Sequence, residues 1–123
     1  MPFAHALVWI DHHNARVLQF DAHDVEVHKL QVHTHQTRQH GSGVRTEHEY
    51  FADICDSLAA IPEVLVTGPR TAQTDFHHFV VKHRPALAAQ IVGWQLSNHA
   101  SDAELVAMAR RQFEKRARMA GLA

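Results

Sequence analysis

Four residues, Asp11-His12-His13-Asn14, separate two apolar runs near the start of the chain. A carboxylate beside two imidazoles is a candidate donor set for a metal ion. The same residues suit a hairpin turn, in which the Asp carboxylate bonds nearby backbone amides and Asn tolerates positive φ. Side chains adjacent on a strand or helix point in different directions, so His12-His13 and His77-His78 make poor chelates. Asp11 is therefore expected to serve the turn. His33 and His35 differ, because residues two apart on an extended chain share a side and can share an ion. They are the candidate metal ligands. No His-Glu-x-x-His pattern and no Cys cluster accompanies them. The expectation is an adventitious divalent ion and no resident cofactor.

Thirteen histidines in 123 residues are the compositional anomaly. Charging all of them would move the formal net charge from −1 to +12, and histidine is the side chain that titrates near neutrality. The surface charge of this protein is therefore expected to depend strongly on pH. The remaining composition, 46% apolar and 20% charged, is that of a globular domain. A near-zero net charge exerts no overall pull toward nucleic acid or membrane, so any basic surface must be local. The one cysteine, Cys55, forms no internal disulfide and follows the apolar Ile54, which suits a core thiol in a reducing, cytoplasmic setting. No basic leader opens the chain and no stretch is long enough to span a bilayer, so no membrane partner is expected.

The elements that would position these residues follow from periodicity. Residues 6–10, Ala-Leu-Val-Trp-Ile, form a fully apolar run of strand length. Residues 16–20 form a second strand after the turn. Residues 25–32 form a third, whose alternation slips between Val25/Val27 and Leu30/Val32, as a bulge near His28-Lys29 would explain. Residues 33–46 are polar, the longest loop, and are expected to be the most mobile segment. Thr46 and Glu49 can form a capping box, opening a helix with Phe51, Ile54, Leu58 and Ile61 on one stripe. Val64-Leu65-Val66 is a fourth strand. Gly68-Pro69-Arg70-Thr71 turns into a second helix carrying Phe76, Phe79 and Val80, which Pro85 interrupts; a further helical turn through Ala86–Gln90 follows. Residues 91–96 form the fifth strand, with Gly93 weakening its middle. Ser101 and Glu104 cap a last helix that buries Leu105, Ala109 and Phe113.

This β-β-β-α-β-α-β-α order predicts a single α/β domain over residues 1–123. Its five-stranded mixed sheet has order 3-2-1-4-5, with strand 2 antiparallel and three helices. This is the ribonuclease H-like topology. Two-metal nucleases of that fold need carboxylates from the first strand, the first helix and the end of the fourth strand. Asp11 and either Glu47 or Glu49 suit the first two places, but the fourth strand ends Thr67-Gly68. The carboxylate set is incomplete, which argues for a binding module rather than a nuclease.

Residues 64–93, VLVTGPRTAQTDFHHFVVKHRPALAAQIVG, resemble the middle domain of archaeal and eukaryotic peptide-chain release factors and Pelota. The segments ALVWIDHHNARVLQF and HASDAELVAMARRQF resemble the two ends of a bacterial family called translational machinery proteins. The resemblance implies a ribosomal or RNA partner. It also implies that the loop before the first helix is the working surface. The release-factor domain carries Gly-Gly-Gln there, whereas this chain has Gln39-His40-Gly41-Ser42-Gly43-Val44, so peptidyl-tRNA hydrolysis is not carried over. The candidate binding residues are His33, His35, Arg38, His40, Gly41, Gly43 and Arg45 of the loop, Arg70 beside a helix start able to hold an anion, and the basic run Arg110, Arg111, Lys115, Arg116 and Arg118. The alternative reading is a histidine-rich, metal-binding or pH-responsive protein. Self-association is left open.

Overall fold

The computed structural model describes residues 3–32, 42–97 and 100–121. Among these residues nine elements follow one another: β1 (His5–Ile10), β2 (Asn14–Phe20), β3 (Val25–Gln31), α1 (Ser42–Leu58), β4 (Glu63–Gly68), α2 (Arg70–His83), α3 (Pro85–Gln90), β5 (Ile91–Leu96) and α4 (Asp102–Met119). The strands form one sheet in the order β3-β2-β1-β4-β5. Strand β1 pairs antiparallel with β2 and parallel with β4, and β4 pairs parallel with β5. The mixed ribonuclease H-like sheet expected from sequence is the one observed. The interrupted second helix resolves into α2 and α3 at Pro85, giving four helices instead of three.

Both faces of the sheet are covered. Ala6, Val8 and Ile10 of β1 join Val17, Val64 and Val66 in a core closed by Phe51, Ile54 and Leu58 of α1 and Phe76 and Val80 of α2. Leu7 and Trp9 point the other way, into a smaller core with Leu18, Phe20, Leu65 and the α4 residues Leu105, Val106, Ala109 and Phe113. A large apolar side chain contributes roughly 1.5–3 kcal/mol when buried, against about 1 kcal/mol for a net hydrogen bond. Packing of the two layers therefore decides the fold. Helix α4 starts at the expected capping box: Ser101 Oγ accepts from the Glu104 amide and Glu104 accepts from the Ser101 amide.

Three local expectations are corrected. No bulge occurs in β3, whose pairing with β2 runs in register from Val25 to Gln31. Its slipped alternation is satisfied because β3 has apolar neighbours on both faces, Val27 joining the α4 core and Leu30 and Val32 the α1 core. The irregularity falls instead between β4 and β5, where Leu65 lies opposite Gly93 and the register shifts after Val64. Helix α1 begins at Ser42, four residues ahead of the Thr46 cap. Val44, Arg45 and Thr46 cost less than about 0.7 kcal/mol each inside a helix, so a local cap signal does not stop propagation.

Asn14 does not take positive φ, since among the described residues only Gly68 and Gly121 do. The Asp11 carboxylate closes the turn, accepting from the amides of His13 (2.8 Å) and Asn14 (2.6 Å), while the Asp11 amide donates to the Asn14 carbonyl. Asp21 repeats the device with His23 and Asp24, and those two amides, Asp24's foremost, hold its carboxyl below the ordinary carboxylate value.

Gly68 ends β4 at φ +129°, with Ile10 of the neighbouring strand so close that an added Cβ would sit 2.2 Å from its carbonyl oxygen. Only glycine meets both conditions. Gly68→Ala is expected to destabilise the fold by about 3 kcal/mol. It should lower the urea midpoint without changing the slope of the transition.

Candidate functional site

Strands β1 and β4 lie side by side and parallel, yet their chains leave in opposite directions. The chain after β1 returns as β2 on one side, and the chain after β4 passes through α2 to β5 on the other. Open α/β sheets bind ligands at such a divergence, at the carboxyl ends of the strands. Four segments meet at this edge: the Asp11–Asn14 turn, the start of α1, the Gly68-Pro69 turn and the first turns of α2.

Polar contacts hold the edge in place. The buried Tyr50 hydroxyl of α1 donates to the Asp11 carbonyl at 3.0 Å. Burial, with the nearby Asp11 carboxylate adding to it, pushes the Tyr50 phenol well above its ordinary value. The buried Gln73 amide of α2 donates to the Gly68 carbonyl (2.7 Å) and the Gln95 carbonyl (2.6 Å), tying the ends of β4 and β5 together. Thr67 Oγ1 donates to Ser97 Oγ at 2.7 Å. On this frame His12, Glu47 and Asp75 converge, with one donor atom from each lying within 4.8 Å of the others. His12 Nδ1 is 4.0 Å from Asp75 Oδ2, and His12 Nε2 is hydrogen-bonded to Thr71 Oγ1 at 3.1 Å.

None of the three residues is among the binding or metal residues expected from sequence. His33, His35, Arg38, His40 and Gly41 lie outside the described residues, and Gly43 and Arg45 lie in the first turn of α1. Asp11 serves the turn, as expected, and no carboxylate stands at the end of β4. Arg70 is exposed at the start of α2, beside a hollow of about 280 Å³ that includes His77 and Trp94, stacked at 4.4 Å.

The α4 cations are separate from Arg70: α4 packs on the opposite face of the sheet, and its basic half reaches the opposite edge. Arg110 donates to the Asp21 carbonyl after β2 and lies over the Phe20 ring, and Arg116 pairs with Glu63 at the start of β4. Arg111, Lys115 and Arg118 are exposed at positions that share one side of the helix. Between this half of α4 and strands β4 and β5 lies a groove of about 1010 Å³, floored by Phe20, Leu65, Val92 and Phe113 and rimmed by Arg110, Lys115 and Arg116. Neither the groove nor the His12–Glu47–Asp75 cluster was legible in the sequence, since both join residues from distant segments. Glu47 had a signal of its own, as a carboxylate at the start of the first helix.

No protein-family model matches the sequence, and no curated protein matches it. Solved structures of the same fold include two Pelota proteins and an archaeal translation termination factor. Pelota of Archaeoglobus fulgidus aligns with 88% of this chain and 31% of its own, at a TM-score of 0.64 and 15% identity. The archaeal translation termination factor aRF1 aligns with 82% of this chain and 32% of its own, at 0.59 and 15%. Pelota of Thermoplasma acidophilum aligns with 98% and 35%, at 0.59 and 16%. The chain thus spans about a third of the length of these proteins. The likeness is one of fold. The resemblance to the bacterial translational machinery proteins rests on sequence segments alone. Among the described residues no helix is long and apolar enough to cross a membrane.

Cys55 is buried, and burial pushes its thiol from 9.0 up to about 12. A buried thiol held protonated is not activated for nucleophilic attack. Cys55 and Tyr50 are both held neutral in the fold and ionise near their ordinary values once unfolded. Their contribution to stability is therefore complete below about pH 9 and declines as pH rises further. Urea midpoints should fall steadily above pH 9. A thiol reagent at pH 8 should label Cys55 only in the denatured chain.

Proposed function

We propose that this protein is a non-enzymatic, translation-associated binding module that contacts ribosomal RNA through the exposed cationic side of α4. The observation that carries this reading is Arg111, Lys115 and Arg118 on one side of the helix, with Arg110 and Arg116 at its flank. The fold shared with Pelota and a translation termination factor supports the translational setting. The pairs Arg116–Glu63 (3.2 Å) and Arg118–Glu114 (3.7 Å) are exposed. Pairs of that kind are worth about 1 kcal/mol or less, so phosphate oxygens can replace their carboxylates at little cost. Lysine and arginine on phosphate release counterions, which makes such binding steeply salt-dependent.

Hydrolysis of peptidyl-tRNA is not part of the reading, because residues 39–44 carry no glutamine after a glycine pair. The site is expected to work in the cytoplasm, where its partner would be.

The protein is expected to sediment with ribosomes at 50 mM salt. With three or four phosphate contacts, affinity should fall about 100-fold between 50 and 200 mM. The double variant Arg111→Glu/Lys115→Glu should lose binding while keeping its circular dichroism spectrum and urea midpoint. Absence of the wild-type protein from the ribosomal pellet at low salt overturns the proposal.

A further inference from the structure

We propose that His12, Glu47 and Asp75 form a binding site for one divalent transition-metal ion, with zinc the expected metal. The donors come from three elements, the β1–β2 turn, α1 and α2, and their ligand atoms already lie within 4.8 Å of one another. Tetrahedral ligands at about 2.1 Å from zinc are about 3.4 Å apart. Closing around an ion therefore requires movements of about 1 Å by side chains at the surface.

The surroundings of His12 suit a metal ligand. Its Nε2 is engaged with the Thr71 hydroxyl at 3.1 Å, and its Nδ1 faces Asp75 Oδ2 at 4.0 Å. In the tautomer that donates its Nε2 hydrogen to Thr71, the Nδ1 lone pair is free to take an ion that Asp75 shares. A hydrogen bond from the far ring nitrogen is also how proteins orient a metal-ligating histidine and select its tautomer. The frame is set before any ion arrives. The Asp11 carboxylate fixes the turn that carries His12, Tyr50 ties that turn to α1, and Gln73 ties the start of α2 to the strand ends. Little ordering then remains to oppose binding.

The donor chemistry selects the metal. One imidazole and two carboxylates suit zinc and its first-row neighbours, whereas magnesium and calcium take oxygen donors. Two carboxylates are too few to clamp the pair of ions of a two-metal nuclease. The three side chains leave a coordination position for water. Bound metal would fasten α1 and α2 to the β1–β2 turn, independently of the α4 surface.

Thirteen histidines complicate a zinc titration, so carboxylate variants carry the test. Chelator-treated protein is titrated with zinc alone and with magnesium alone by calorimetry. Wild type should show one tightest zinc site and no comparable magnesium site. Glu47→Gln and Asp75→Asn keep every histidine and should each weaken that site at least tenfold. His33→Asn/His35→Asn should leave it unchanged. Zinc should raise the thermal midpoint of wild type and much less that of Asp75→Asn. X-ray absorption of the zinc-loaded wild type, which depends on no variant, should show one imidazole among oxygen donors. Equal affinity in wild type and both carboxylate variants, loss of the site in the His33/His35 variant, two or more imidazoles on the metal, or no tight zinc binding at all would each overturn the proposal.

Discussion

The burial of β1 is the constraint on which the rest of this structure depends. Every side chain from Ala6 to Ile10 is buried, and they alternate between two cores on opposite faces of the sheet. A slip of one residue would send Leu7 and Trp9 into the layer built for Ala6, Val8 and Ile10. The strand is therefore fixed in register by β2 on one side and β4 on the other. A strand so placed needs helices on both faces, and the chain supplies α1, α2 and α3 for one and α4 for the other.

The same strand generates the candidate metal site. Because β1 turns back and β4 continues into α2, their ends part and leave an edge that no strand crosses. Gly68 allows the closest approach at that edge, beside the Ile10 carbonyl. Tyr50 reaches the Asp11 carbonyl from below. Most polar atoms at the edge thus bond one another, and His12, Glu47 and Asp75 converge above them. The proposed metal site at the surface rests on hydrogen bonds that the buried layer holds in place.

Helix α4 combines a packing face with an exposed cationic side. Leu105, Ala109 and Phe113 close the smaller core. At the start of the helix Arg16 donates to Asp102 at 2.7 Å while lying over the Trp9 ring. The cations lie near its end. Some are engaged locally, as Arg110 is with Asp21, and others project to solvent. Separation of this surface from the His12 edge means that the two can act independently.

The order and type of the elements were legible because they follow from local periods. The unbroken apolar run at 6–10 marked a central strand, Pro85 a helix break, and Ser101 with Glu104 a helix start, and each signal acts within a few residues. Local signals failed where long-range packing outweighed them. Thr46 offered a cap, but the helix runs on to Ser42. The alternation of β3 suggested a bulge, but Val27 and Leu30 each meet a core on their own face without one, and Val25 stays exposed. Asp11 was legible as a turn residue because its partners are two and three positions away. The convergence of His12, Glu47 and Asp75 was not, because no spacing rule connects a turn and two helices brought together only by the parting of β1 and β4. Which segments are strands and helices, and which side chains they bury, can be read from period and hydrophobicity. Which exposed residues meet depends on the path of the chain between strands, and that exists only in the folded molecule.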